Sequence, residues 1–141
     1  MRIVLDTNAV ISALFWGGPP RRIMDIARHG DTLRLYTSTT LLAELADVLS
    51  RDKFIPYLAA HNLTPAAIMQ RYGVLTMTLT PPVIARTVPR DADDDAVIAC
   101  AIAACADMIV TGDRHLLELH PFRNIAILTP ADALQRLTAG A

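Results

Sequence analysis

The chain has little of what several protein classes require. Of its 13 basic residues only Lys53 is a lysine, and 14 acids leave a net charge of −1. The basic excess usual in nucleic-acid binders is therefore missing. Cysteine is reduced to Cys100 and Cys105, set in an alanine-rich helical stretch. Their spacing points them to different sides of a helix, so a disulfide is not expected. Neither has Cys-x-x-Cys or Cys/His zinc spacing, and both read as buried, inert thiols. No apolar run approaches the roughly 18 residues of a membrane span. The N-terminus lacks a signal-peptide pattern: Met1-Arg2 is a minimal basic region, and Asp6 and Asn8 break the apolar stretch after it. A cytoplasmic protein without membrane association is the expectation.

What is present is a globular composition. Hydrophobic residues make up 52% and charged residues 19% of 141 positions, which excludes a disordered chain. That length suits one domain, residues 1–141. Two facts soften the charge argument against nucleic acid. Arginine, with its planar fork, suits phosphate, although a general bias toward arginine and alanine explains the same excess more simply. Several acids also fall into a pattern that bound cations would neutralise.

That pattern is the chain's main signal. Asp6 ends Ile3-Val4-Leu5-Asp6-Thr7-Asn8, Glu44 lies in Leu41-Leu42-Ala43-Glu44-Leu45, Asp94 and Asp95 open Ala96-Val97-Ile98, and Asp113 ends Ile109-Val110-Thr111-Gly112-Asp113. Carboxylates seldom sit against apolar segments unless something balances their charge. Several converging on one point repel each other and resist ionising. A divalent cation removes that conflict.

Their placement follows from a coarse reading of the elements. Arg2 to Leu5, Leu33 to Thr37, Met108 to Val110 and Ile125 to Leu128 read as short strands, and Val83 to Val88 as a strand or extended loop. Helices are expected over Ala9–Trp16, from Pro20 to Gly30, after a cap at Ser38 or Thr39, briefly within Arg51–Ala60, from Thr64-Pro65 to about Thr78, and over Asp93–Ala106, Arg114–Leu119 and Ala131–Leu137. Such alternation implies an α/β fold of three layers, α/β/α, around a mostly parallel sheet of four or five strands. Sites in open sheets of this kind lie beyond the carboxyl ends of the strands. Asp6 and Asp113 fall there, and Glu44 and Asp94/Asp95 sit near helix starts that can face the same crevice.

The ligand set is hard oxygen, with neither His nor Cys, which selects Mg²⁺ or Mn²⁺ over zinc. The usual work of such a centre is phosphoryl chemistry, with one or two ions activating water and stabilising the leaving oxygen. Asn8 and Thr111 stand beside Asp6 and Asp113 and can orient a carboxylate or bind water.

Together, the strand ending in Asp6-Thr7-Asn8, Glu44 about 40 residues on, the Asp91–Asp95 helix start with its alanine-rich helix, and Ile109 to Asp113 resemble the PIN domain. The resemblance is to small prokaryotic PIN proteins classed as toxins of toxin–antitoxin pairs (VapC-like), and it covers essentially the whole chain. It implies a Mg²⁺- or Mn²⁺-dependent endoribonuclease, with RNA as substrate, a small antitoxin protein as partner, and a homodimer or higher even oligomer. It places Asp6, Glu44, Asp94 or Asp95, and Asp113 in the metal site, with Asn8 and Thr111 supporting. Asp95, three before Ile98, matches the family spacing slightly better, and the choice stays open. Asp91 and Asp93 read as complements to a helix dipole.

Blander readings stand beside these. Asp6 and Asp113 can simply cap the helices that follow them. Glu44 is a common helix former. His29, His61, His115 and His120 are scattered and read as solvent-facing. Arg114 can touch phosphate, as can Arg21-Arg22. Phe15-Trp16 can stack on a base, or belong to the core or a dimer interface. An aspartyl phosphatase would want an acid where Asn8 stands, and a phospho-receiver a late lysine that the chain lacks. A catalytically inert PIN-like module binding protein or RNA is the remaining alternative.

Overall fold

The computed structural model describes residues 1–81 and 92–139, and of residues 92–94 the backbone alone. Within it, five strands form one sheet in the order β3-β2-β1-β4-β5. They are β1 (Arg2–Leu5), β2 (Arg34–Ser38), β3 (Thr76–Leu79), β4 (Met108–Val110) and β5 (Ala126–Leu128). Every pairing is parallel, with Val4 opposite Tyr36 on one side and Ile109 on the other. Among the described residues the sheet is wholly parallel, in keeping with the expected mostly parallel sheet of four or five strands.

Eight α-helices are described: α1 (Thr7–Phe15), α2 (Gly18–His29), α3 (Thr39–Leu49), α4 (Ile55–Ala60), α5 (Pro65–Leu75), α6 (Ala92–Ala103), α7 (Arg114–Leu117) and α8 (Pro130–Ala139), with a 3-10 turn at Asp52–Phe54 before α4. Short polar side chains start several of them. The Ser38 hydroxyl accepts from Leu41 N at 3.1 Å and the Thr64 hydroxyl from Ala67 N at 3.1 Å, satisfying donors that a first turn leaves open. None of the described helices is long and apolar enough to cross a membrane.

The period-2 pleat divides each strand between two cores. Ile3, Leu5, Leu35, Met108, Val110 and Ala126 face a cluster under α1, α2, α3, α5 and α8. Val4, Tyr36, Ile109 and Ile127 face a second cluster built on Val97, Ile98, Cys100 and Ala101 of α6 and on Leu116. Burial on both faces explains why these strands are apolar throughout instead of alternating.

Two expectations need correction. The helix from Pro65, expected to reach about Thr78, stops at Leu75, and Thr76 to Leu79 forms the edge strand β3. The β-branched Thr76 and Thr78 favour the strand, and pairing with Leu35 to Ser38 supplies the hydrogen bonds that the helix gives up. Cys105 is exposed, not buried: α6 ends at Ala103, and Cys105 turns off its stripe at φ 51°, while Cys100 is buried as expected. Both thiols are free. The possible strand over 83–88, and Asp91, lie outside the described residues, as do the side chains of Asp93 and Asp94.

The chain runs from β1 outward to β2 and β3, then returns to add β4 and β5 on the opposite side. The direction of growth therefore reverses between β1 and β4, where the carboxyl ends of a parallel sheet open a crevice.

Candidate metal centre

Asp6 and the Thr111-Gly112-Asp113 turn leave the two strands flanking that reversal. The sheet ladder continues one residue past each strand: Asp6 N donates to Val110 O at 3.1 Å, and Thr111 N to Leu128 O at 3.0 Å. Both side chains are thereby pinned at the sheet edge.

Thr111 ties the two acids together. Its hydroxyl donates to Asp6 Oδ2 and accepts from Asp113 N at 2.9 Å. Asp6 Oδ1 accepts from Ala9 N at 2.8 Å, so Asp6 also caps α1. Asp113 Oδ1 accepts from His115 N at 2.8 Å and caps α7. The capping reading of both aspartates is correct, and it leaves further carboxylate lone pairs for another ligand.

The electrostatics set Asp6 apart. It is 5% exposed and Thr111 fully buried, whereas Asp113 is half-buried. Burial pushes the Asp6 carboxyl above its ordinary value. The Thr111 hydroxyl and the N–H groups of Ala9 and Asn8 pull it back, and the Asp113 carboxylate raises it again. The net rise means that neutral donors do not compensate the buried charge. A hard divalent cation between Asp6 and Asp113 would, and the oxygen-only donors fit Mg²⁺ or Mn²⁺.

The other expected ligands lie on neighbouring elements. Glu44 is half-buried on α3, the helix that leaves β2, and Asp95 is half-buried in the first turn of α6. Both make polar or electrostatic contacts. Among the described residues, no three of His, Cys, Asp or Glu come together closely enough to hold a metal ion. The structure therefore unites Asp6, Thr111 and Asp113, and does not bring Glu44 or Asp95 into one described cluster with them. Asn8 is exposed, and its main chain, through Asp6, is what reaches the site.

Arg114 stands at the rim, 86% exposed and 4.0 Å from Glu118, a separation that contributes little energy at such exposure. Arg21, considered for phosphate, is committed instead: it donates to the carbonyls of Ala13 and Leu14 at 2.9 and 3.0 Å at the end of α1. Trp16 is 61% exposed, and Phe15 stacks on Phe54 with centroids 5.2 Å apart. The four histidines are exposed, as expected. Tyr72, on α5, is 4% exposed, and burial pushes its hydroxyl above its ordinary value, with smaller contributions from Cys100 and Asp6.

Comparison with known proteins bears on this arrangement. A family model described as PIN domain matches residues 2–115. The chain is a PIN-domain protein. The matched segment contains Asp6, Glu44, Asp94, Asp95 and Asp113, so the whole acidic set falls inside the PIN domain. Among solved structures, a chain from VapBC2 of Rickettsia felis, crystallised bound to a DNA fragment from its promoter, superposes with a TM-score of 0.60. At 15% identity, the match covers 90% of this chain and 97% of that one, and it shows that the PIN fold is shared. No curated protein sequence matches.

Proposed function

We propose that this PIN domain is a Mg²⁺- or Mn²⁺-dependent endoribonuclease and the toxin of a toxin–antitoxin pair. The observation that carries the reading is the Asp6–Thr111–Asp113 unit: a buried carboxylate, held by neutral donors beside a second carboxylate, at the topological reversal of a PIN sheet. Asp6 and Asp113 would hold the ion, with Glu44 and Asp95 or Asp94 completing the set and one or two ions bound. A divalent ion there, when bound, supplies the Lewis acidity that makes hydroxide from water near neutral pH.

The chain's own residues supply the rest. Thr111 fixes the rotamer of Asp6 while its acceptor side holds the Asp113 main chain, so one hydroxyl sets the spacing of both acids. The α1 N–H groups aimed at Asp6 keep its oxygens oriented. No side chain at the site is an obvious covalent nucleophile, which favours direct attack by water on the phosphodiester. Arg114, exposed at the rim one residue after Asp113, is placed to meet a substrate phosphate.

The partner reading rests on the Rickettsia felis structure, which is of VapBC2 bound to promoter DNA. By that likeness the proposed partner is a small antitoxin protein; the homodimer or higher even oligomer, in the cytoplasm, is proposed on the family resemblance alone.

The decisive experiment is cleavage of mixed structured RNA with Mn²⁺, with Mg²⁺ and with EDTA, comparing wild type with Asp6→Asn. The expected outcome is metal-dependent cleavage, lost in the variant while the fold survives. The inert-module reading draws on the missing third acid among the described residues. It would be upheld by absence of both cleavage and Mn²⁺ binding in wild type.

A further inference from the structure

Four aromatic side chains meet at one place in a chain that has only Phe 3, Tyr 3 and Trp 1. Phe15 and Trp16 lie at the end of α1, Phe54 in the 3-10 turn and Tyr57 on α4. Phe15 stacks on Phe54 with centroids 5.2 Å apart. Trp16 meets Phe15 and Phe54 edge-on at 5.9 and 6.4 Å. Tyr57 stands 5.9 Å from Phe15 and 6.2 Å from Trp16. These are favoured separations for aromatic pairs. The cluster is layered: Phe54 is buried and Phe15 half-buried, while Trp16 is 61% and Tyr57 46% exposed. The inner pair is enough to tie the turn to α1. The outer pair adds two large rings that are fixed by their neighbours yet open to water, which marks a binding surface.

Charge and position say what that surface takes. The Lys53 ammonium lies 5.1 Å from the Phe54 ring centre. Arg21 donates to the carbonyls of Ala13 and Leu14, and a Cβ at Gly17, next to Trp16, would stand 3.5 Å from its guanidinium. Rings interleaved with cations are the pattern of platforms for single-stranded nucleic acid, where bases stack and the backbone passes the positive charges. An apolar protein segment would gain from the rings alone. Asp6 is the N-cap of α1 and Trp16 its C-cap. The platform therefore lies about 15 Å from the acidic centre along one helix, on the order of four nucleotides of stacked strand. At a net charge of −1 the chain draws little affinity from phosphate neutralisation. Stacking supplies a grip that needs no basic surface.

We propose that Trp16 and Tyr57 form a base-stacking subsite for single-stranded RNA, backed by Phe15 and Phe54 and connected to the acidic centre by α1. The subsite binds substrate and takes no part in the chemical step. The inference rests on the ribonuclease reading above.

The chain reports on this subsite directly, because Trp16 is its one tryptophan. The test is titration of the full chain, in EDTA, with a single-stranded RNA of mixed sequence about 12 nucleotides long. An abasic strand of equal length is the control. Trp16 fluorescence and the anisotropy of an end label are followed together. Wild type should show quenching of Trp16 by the RNA and little by the abasic strand. By anisotropy, Trp16→Ala should bind the RNA about tenfold more weakly and lose the preference for it over the abasic strand, with a smaller loss in Tyr57→Ala and partial recovery in Trp16→Phe. In Mn²⁺, Trp16→Ala should raise KM for cleavage and leave kcat near wild type, as expected for lost uniform binding. Wild-type RNA affinity in Trp16→Ala, or binding without quenching, overturns the proposal. So does a change in the solution mass of Trp16→Ala, read by light scattering, with RNA affinity unaltered, which would make the face an interface between copies. Should Trp16→Ala not fold by circular dichroism, Tyr57→Ala and Trp16→Phe decide by the same readouts. Cleavage by wild type without quenching removes the subsite and leaves the nuclease standing, whereas absence of both RNA binding and cleavage in wild type removes both.

Discussion

The paired strands β1 and β4 have an aspartate at each end, and the two are built in opposite ways. At the amino edge Asp107 is exposed and accepts the main-chain N–H of Arg2 at 2.8 Å. The Arg2 guanidinium there donates to Ala104 O at 2.9 Å and lies 5.6 Å from the Tyr36 ring centre. At the carboxyl edge Asp6 is buried, receives neutral donors and faces another carboxylate. The first end is a solvated staple that ties chain segments together. The second keeps a charge out of water without neutralising it, which is costly in a protein that binds nothing there. The same ladder thus separates a solvated acid from a buried one, and only the buried one fits the proposed metal role.

The comparison breaks most sharply under Asp6→Asn. RNA cleavage should fall by at least about 10²-fold, the scale of losing one preorganised electrostatic group, while the substitution at Asp107 should leave it unchanged; an initial-rate assay on one substrate decides. Next, Thr111→Val should weaken Mn²⁺ binding by about 10- to 100-fold, because Asp6 loses its donor and Asp113 N its acceptor. An unaltered titration would show that the carboxylates need no tether.

A smaller effect is expected at the amino edge. Asp107→Ala should cost about 0.5–1.5 kcal/mol in denaturant unfolding, the net worth of one hydrogen bond, with Mn²⁺ affinity unaffected. Equal losses of metal binding at both edges would abolish the distinction.

The last prediction concerns pH. Because the folded-state value of Asp6 is raised by burial and by Asp113, the folded chain favours the protonated acid. Its penalty is absent below the ordinary carboxyl value and develops as pH rises through the raised one. Metal-free Asp6→Asn should therefore gain melting temperature relative to wild type as pH increases across that window, and saturating Mn²⁺ should reduce or reverse the gain. A difference independent of pH would mean that Asp6 does not titrate as the fold implies.

Much of this was legible in residue order. The apolar runs ending in Asp6 and in Thr111-Gly112-Asp113 located both strands and the edge where they open, since β-strands buried on both faces admit few polar residues. Ser38 and Thr64 announced their helices through the capping chemistry they perform. The edge strand β3 was not legible: Thr76 to Leu79 continues a helical pattern, and pairing with β2, distant in sequence, is what extends it. Cys105 was misjudged for a related reason, since a stripe of apolar spacing does not say where a helix stops. Asp6 and Asp113 were read from the sequence both as acids of a centre and as helix caps, and the structure shows the caps; the single hydroxyl that joins them appeared only on folding.

Sequence by itself determined the class of the protein: a parallel α/β sheet, a set of acids with hard oxygen donors, and the edge at which two of them emerge, because each depends on local periodicity and on chemistry carried by single residues. The tertiary structure decided which groups meet. Thr111 reaches Asp6 across 105 positions of chain, and Asp107 and Asp6 take opposite environments on one ladder. Burial and proximity are properties of the packed whole, and they turn one aspartate into a surface staple and another into a buried carboxyl set beside a second acid.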